Sequence, residues 1–321
     1  MLEPLEYDPE CPFPYNNFIY RVDMIRQTPF MDSHGLRQPG TQPIPNGVTT
    51  FILQLTNAAA GLNDANRVQN EVAAMSLARD ALRNQPTQLI PAVYGWGSAA
   101  DGPQGWILQD LKPGCPLSRE FNAISFEDKK AVLAQMAHVF GLLQQCQILD
   151  SIKEYGGVDF DWSGNIISAP MTLVNGGPFP TLNGWQDHGT RRRLEAFVAQ
   201  GLTSIFKAMD FARKVLVHGD LTTDNILFDK KILRLTAILD FDWAHIAGIS
   251  DEFFRSFSDV GGRLQGPCIN NPNKRALRKA LLEGFPDHLQ NLSCGIPWDV
   301  AKAWNGELAM RGVESQRRYG T

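Results

Sequence analysis

Apolar and polar positions change their period several times along the chain, and each change marks an element. From Asn16 to Met24 ("NNFIYRVDM") and from Thr49 to Thr56 ("TTFILQLT"), β-branched and aromatic residues crowd into short runs that predict two strands. The Pro- and Gly-rich stretch between them predicts a long loop. The period then lengthens. In "NDANRVQNEVAAMSLARDAL", Val68, Val72, Met75 and Leu82 recur near one face, the spacing of a helix, with Asn63 or Asp64 as its cap. "LIPAVYGWG" and "GWILQDL" predict two further strands, so the N-terminal part is strand-rich. Two prolines and a glycine in "LKPGCPLS" break the pattern, and the expected lobe boundary lies there. Beyond it, "EDKKAVLAQMAHVFGLLQQC" carries Val132, Met136, Val139 and Leu143 at helical spacing. Residues Tyr155 to Trp185, rich in Gly, Asn and Pro, predict a long irregular segment. "RRRLEAFVAQGLTSIFKAMDFA" predicts another helix, leading into the apolar run "KVLV".

With 321 residues, 43% of them hydrophobic, the chain can bury a substantial core in one or two lobes. A formal net charge of −4 provides no basic field for a phosphate backbone, which argues against a nucleic-acid partner. Cys11, Cys115, Cys146, Cys268 and Cys294 are scattered and lack CxxC spacing. That pattern argues against a disulfide framework or zinc site and for a reducing compartment. The acidic start "MLEPLEYDPE" has no apolar core, and no run of about eighteen apolar residues offers a membrane span. A cytoplasmic protein is expected.

The candidate chemistry sits in "HGDLTTDN", residues 218–225, between "KVLV" and "ILFD". The next stretch, "ILFDKKILRLTAILDFD", reads as a hairpin with one strand from Ile226 to Phe228, a turn at "DKK", and a second strand ending at Asp240. Asn225 and Asp240 then stand at the open ends of paired strands, with Asp220 close by. Two carboxylates and an amide facing one cavity suit Mg²⁺, a hard ion that takes oxygen ligands and completes its shell with water and substrate phosphates. Phosphoryl transfer needs a base near the acceptor hydroxyl and metal ligands near the phosphates.

"HGDLTTDN" followed by "ILDFD" resembles the catalytic loop and metal-binding segment of the aminoglycoside phosphotransferase and choline kinase family, relatives of protein kinases. "NRVQNEVAAMSLARDAL", "VYGWG", "GWILQDLKPG", "EYGGVDFD" and "DEFFRSF" extend the resemblance over most of the chain, toward the branch abundant in fungi. It implies an α+β, bilobal protein-kinase-like fold. Residues 1–111 would form a nucleotide-binding lobe and residues 112–321 a mainly helical catalytic and substrate lobe. The implied reaction is an ATP- and Mg²⁺-dependent phosphotransfer to a hydroxyl of a small molecule. Asp220 would be the base, and Asn225 and Asp240 the Mg²⁺ ligands. Glu71 matches the glutamate that holds the phosphate-binding basic residue, and Asp110 to Lys112 match the inter-lobe hinge whose backbone binds adenine.

The departure lies in "TTFILQLT", where the family supplies a lysine or arginine and this chain has Gln54. Nor does "CPFPYNNF" offer a glycine-rich phosphate loop. Arg26 is the candidate replacement cation. A second reading therefore stands beside the kinase, that of a kinase-fold protein repurposed for metabolite binding, regulation or a non-kinase reaction. His218 is expected to be structural. Asp242 either touches a second metal or bonds a neighbouring loop. Trp162, Trp185 and Trp243 read as buried packing residues or as rings that stack on a substrate or cation, and Asp159, Asp161 and Asp187 as either a solvated loop or an acidic wall for an amine-bearing acceptor. Arg191 to Arg193 open a helix where cations oppose the dipole, so they contact another element or an anion.

Overall fold

The computed structural model describes residues 1–5, 15–25, 37–173, 176–181, 184, 213–265, 270–286 and 296–313. Strands β1 (Leu2–Pro4), β2 (Asn17–Asp23), β3 (Thr50–Thr56), β4 (Val93–Gly97) and β5 (Trp106–Asp110) form one antiparallel sheet in the order β1-β2-β3-β5-β4. The sequence offers no pattern for β1, because its three residues are all exposed and do not alternate. Strand β3 is central. Its Gln54 pairs with Ile19 of β2 on one side and Ile107 of β5 on the other, so its backbone is held on both edges.

Helix α1 (Arg67–Ala81) packs on β4 and on the first strand of a later hairpin. It begins after the expected caps. Asn66 is the N-cap and makes no side-chain capping bond, while Asn63 supplies the carbonyl that accepts from the Arg67 backbone N–H at 3.1 Å. Asp64 instead accepts from the Arg67 guanidinium at 3.3 Å. The apolar stripe of the sequence understates how deeply α1 is buried, because Asn70, Glu71, Ala73, Ala74 and Ala78 are covered as well as Val68, Val72 and Met75.

Past residue 111 the chain becomes mainly helical, with short sheets between. Gly114, at φ +112°, brings the crossover against β10 (Ile226–Asp229) and β11 (Arg234–Ile238). A Cβ there would lie 2.7 Å from Thr236 Oγ1 and 2.8 Å from the Phe228 carbonyl. Strand β6 (Cys115–Pro116) joins β10 at this point. Helices α2 (Leu117–Phe121) and α3 (Phe126–Gln144) follow, the latter capped by Ser125, whose Oγ accepts from the Asp128 N–H at 3.1 Å.

The stretch expected to be irregular contains a hairpin, β7 (Gly157–Phe160) and β8 (Ile166–Ala169). Its strands are too short to leave a period in the sequence. Its turn is held by Asp161 Oδ1, which accepts backbone N–H bonds from Ser163 and Asn165 at 2.9 and 2.8 Å. Strands β9 (Val215–Val217) and β12 (His245–Ala247) pair, and helices α4 (Ser250–Arg255), α5 (Pro272–Glu283) and α6 (Trp298–Met310) complete the described part. One apolar core runs from Val72 and Met75 of α1 through Met136 and Phe140 of α3 to Ile226, Ile238, Phe253 and Trp304. A strand-rich sheet together with helices makes this an α+β fold, as the kinase-like resemblance implies. Among the described residues no helix is long and apolar enough to cross a membrane.

Candidate active site

The buried strand β9 delivers the chain into the loop at His218. The imidazole is buried; its Nε2 lies 3.0 Å from the Leu239 carbonyl, and its Nδ1 accepts from the Asp220 backbone N–H at 3.3 Å. One nitrogen thus donates and the other accepts, the pattern of a neutral ring. Burial lowers the pKa to about 4. His218 is structural, as expected. Gly219, at φ +83°, allows the sharp turn that follows, since a Cβ would lie 2.6 Å from the Trp243 carbonyl.

A second segment, residues 252–259, anchors the loop. Backbone N–H groups of His218 and Gly219 donate to the Glu252 carboxylate at 2.7 and 3.1 Å. Leu221 N–H donates to Ser256 Oγ at 2.7 Å, Thr223 N–H to Asp259 at 2.5 Å, and Phe257 N–H to the Leu221 carbonyl at 3.1 Å. Phe257 is itself fixed by aromatic packing, with ring centroids 4.9 Å from Phe140 and 4.8 Å from Trp304. Two buried side chains, Glu252 and Ser256, together with the exposed Asp259 therefore fix the loop's backbone.

Asp220, Asn225 and Asp240 come together. Asn225 Nδ2 donates to Asp220 at 2.8 Å (backbone carbonyl) and 3.0 Å (Oδ2). The amide nitrogen is thereby spent on Asp220, and the oxygen is the end left for a cation. The hairpin register sets Ile226 opposite Ile238, and the Leu239 N–H donates to the Asn225 carbonyl at 2.8 Å, which carries Asp240 back beside the loop. Asp240 sits at φ +59°, a conformation uncommon outside glycine and recurrent at functional sites. Burial, and then the charges of Asp242 and Asp220, raise its pKa to about 7. Burial also raises that of Asp220, against the opposing hydrogen bond from Asn225. Among the described residues no three His, Cys, Asp or Glu side chains form a metal site by themselves.

A second polar cluster lies behind this one and is almost closed to solvent. Gln54 Nε2 donates to Glu71 Oε2 at 2.7 Å, so the neutral amide occupies the place expected for a cation. Burial, followed by the charges of Asp242 and Asp240, pushes the Glu71 pKa well above its usual value. Asp242, left open by the sequence, pairs with Arg67: the guanidinium donates to its two oxygens at 3.3 and 2.7 Å. Asn17 Nδ2 adds a third bond at 3.2 Å. Asp110, the last residue of β5, and Lys112 form their own ion pair at 3.2 Å, and the Asp110 N–H donates to the Ala92 carbonyl at 2.8 Å.

Trp162 does not pack: it is 98% exposed at the hairpin tip. Trp243 is half-buried, and Asp161 binds its own turn. Arg26, Trp185, Asp187 and Arg191 to Arg193 lie outside the described residues. Sequence reasoning passed over Arg67, Glu252, Ser256 and Asp259. Arg67 left a signal, a charge one helical turn before Glu71 on a face that is otherwise covered. The others lie in or beside "DEFFRSF" and become legible only once that segment is seen against the loop.

No curated protein matches the chain. Solved structures that align with it include the complex of streptomycin, ATP and APH(2'')-IIa, 14% identical, covering 88% of this chain and 82% of that one at a TM-score of 0.42. ADP-bound aminoglycoside phosphotransferase APH(2'')-Ib is 13% identical, covering 96% and 94% at 0.42. Aminoglycoside phosphotransferase APH(3'')-Id from Streptomyces rimosus is 14% identical, covering 96% and 92% at 0.39. Residues 44–271, which span β3, α1, the loop and the hairpin, match the phosphotransferase enzyme family, and the chain belongs to that family.

Proposed function

We propose that the protein is an ATP- and Mg²⁺-dependent phosphotransferase acting on a hydroxyl of a small molecule, in the branch of the family abundant in fungi and in a cytoplasmic setting. The observation that carries this reading is the convergence of Asp220, Asn225 and Asp240, with the Asn225 amide turned so that its nitrogen orients Asp220. Asp220 is the base: its carboxylate, held by Asn225 and raised in pKa by burial, accepts the proton of the acceptor's hydroxyl as the acceptor oxygen bonds to the terminal phosphorus of ATP and the bond from that phosphorus to the bridging oxygen breaks, releasing ADP. Asn225 and Asp240 would hold Mg²⁺, and the donor set fits it. Asp240 carries a pKa raised by burial and by two nearby carboxylates, a charge excess that a divalent cation relieves. When bound, the ion neutralises phosphate charge. Residues 1–111 form the nucleotide lobe in this reading, with the Asp110 to Lys112 backbone facing adenine and Gln54 and Glu71 lying behind the phosphates. Residues 112–321 form the catalytic and substrate lobe, which takes a small acceptor bearing amines or hydroxyls.

The test is an ATP titration with and without Mg²⁺. Binding strengthened by the metal is expected. One specific observation, the Gln54–Glu71 pairing in place of an ion pair, favours the second reading, a kinase fold repurposed for metabolite binding or regulation. Absence of nucleotide binding under either condition would select it.

A further inference from the structure

Arg67 is covered to 1% exposure and Asp242 to 0%, yet neither belongs to the loop that does the chemistry. The guanidinium uses all three of its nitrogens. Nε and Nη2 donate to the two Asp242 oxygens at 3.3 and 2.7 Å, Nη1 to Asp64 at 3.3 Å, and Nη2 also to the Asn16 carbonyl and Asn17 Oδ1 at 2.8 Å each. One side chain of α1 thus ties together the start of β2, the turn that leads into its own helix and the loop after β11. It is committed inward and cannot reach a phosphate without breaking these bonds.

Arg67 also supplies charge. Its ion pair with Asp242 at 2.7 Å places a cation in the buried cluster, whereas Gln54, the side chain in contact with Glu71, carries no charge. Asp240 has backbone of its own to be held, since φ +59° persists in an aspartate only when the surroundings fix it. The Asp242 N–H donates to Asp240 Oδ1 at 3.4 Å, and the side chain of that same Asp242 is the one gripped at two points by Arg67.

We propose that Arg67, acting through Asp242, is a positioning residue that fixes Asp240 for the metal-bound nucleotide and gives the buried carboxylate cluster a cation where Gln54 is neutral. This rests on the reading of Asp240 as a Mg²⁺ ligand. The bidentate contact matters, because a planar guanidinium grips both carboxylate oxygens while an ammonium meets them as a point charge.

The experiment titrates ATP into the full chain with and without Mg²⁺, for the native protein and for Arg67→Lys, Arg67→Met and Asp242→Asn, with thermal melts alongside. Residues that orient a metal ligand typically cost about 10–100-fold in metal affinity or activity when replaced. Arg67→Met and Asp242→Asn are expected to lose about that much of the Mg²⁺-dependent affinity, and Arg67→Lys about 10-fold, while Mg²⁺-free ATP affinity stays near native. If Arg67→Met fails to fold, Arg67→Lys and Asp242→Asn decide the matter. Folded Arg67→Lys and Asp242→Asn proteins with native Mg²⁺-dependent affinity overturn the proposal, as does an equal loss with and without the metal, which marks a merely structural tie. A native protein whose ATP binding ignores Mg²⁺ overturns the functional reading first and this inference with it.

Discussion

The two walls of the site are built on opposite principles. On the loop side, backbone groups are fastened by Glu252, Ser256 and Asp259, while Asp220, Asn225 and Asp240 stay partly exposed. On the sheet-and-helix side the polar side chains fasten one another: Gln54 bonds Glu71, Arg67 bonds Asp242, and all four are buried. The first wall presents chemistry and the second stores charge. In the proposed reading, catalytic competence rests on the loop side and the phosphate grip on the side that departs from the family pattern.

The largest expected effect breaks the first wall alone. Asp220→Asn should lower turnover about 10²–10⁴-fold, the usual worth of a positioned acid or base, while leaving Mg-ATP affinity nearly native. Asp240→Ala should instead abolish the gain in ATP affinity that Mg²⁺ brings. Single-turnover rates and binding titrations on the two variants separate the roles, and the reverse pattern would exchange them.

Next comes a pH test of how the loop is fastened. His218 has a folded pKa of about 4 against an ordinary value near 6.5, so on acidification the unfolded chain takes up its proton first. Stability from this group is present above pH 6.5 and is lost as pH falls toward 4, by about 3 kcal/mol. His218→Gln, which can still donate to the Leu239 carbonyl, should flatten that part of the profile in urea melts. Asp240 acts with the opposite sign. Its pKa is raised, so its contribution is present at low pH and is lost as pH rises toward 7. It is common to both proteins and drops out of their difference. Identical slopes between pH 4 and 6.5 would refute the assignment.

A smaller effect is expected at the anchor. Glu252 accepts from His218 N–H, Gly219 N–H and Ser256 Oγ, so Glu252→Gln sets an amide N–H₂ against donors and should cost about 2 kcal/mol, the range for a buried group left unsatisfied. The urea midpoint measures it. A midpoint unchanged from native would mean that the loop is held by its own turns and not by the segment behind it.

What the sequence made legible follows the same division between the walls. The loop and hairpin are contiguous, so spacing alone placed Asn225 beside Ile226 and Asp240 just past Ile238, and the register does the same. Helices α1 and α3 carry enough turns for their period to show. By contrast β1, β7 and β8 are three or four residues long, below the length at which alternation is visible. Arg67 and Asp242 are 175 residues apart, and nothing local in either stretch says that they meet. Residues 191–212, expected to be helical, lie outside the described residues.

The smallest expected effect sharpens the second wall. Gln54 faces Glu71 at 2.7 Å with no charge to offer, and burial raises the Glu71 pKa well above its usual value. Gln54→Lys changes both partners together. The ammonium favours the ionised carboxylate, and the strand gains a cation at the place where the family pattern puts one beside the phosphates. Placing a charge in a buried site has a desolvation cost, which offsets much of the gain and keeps the expectation modest. Mg-ATP affinity or turnover should rise about tenfold, or ~1.4 kcal/mol. The variant is informative in combination with Arg67→Met, because a lysine at position 54 returns to the cluster the charge that the second substitution removes, and part of the lost Mg²⁺-dependent affinity should return with it. A folded Gln54→Lys protein with unchanged affinity and unchanged turnover would place the phosphates away from this strand and favour a fold repurposed for binding.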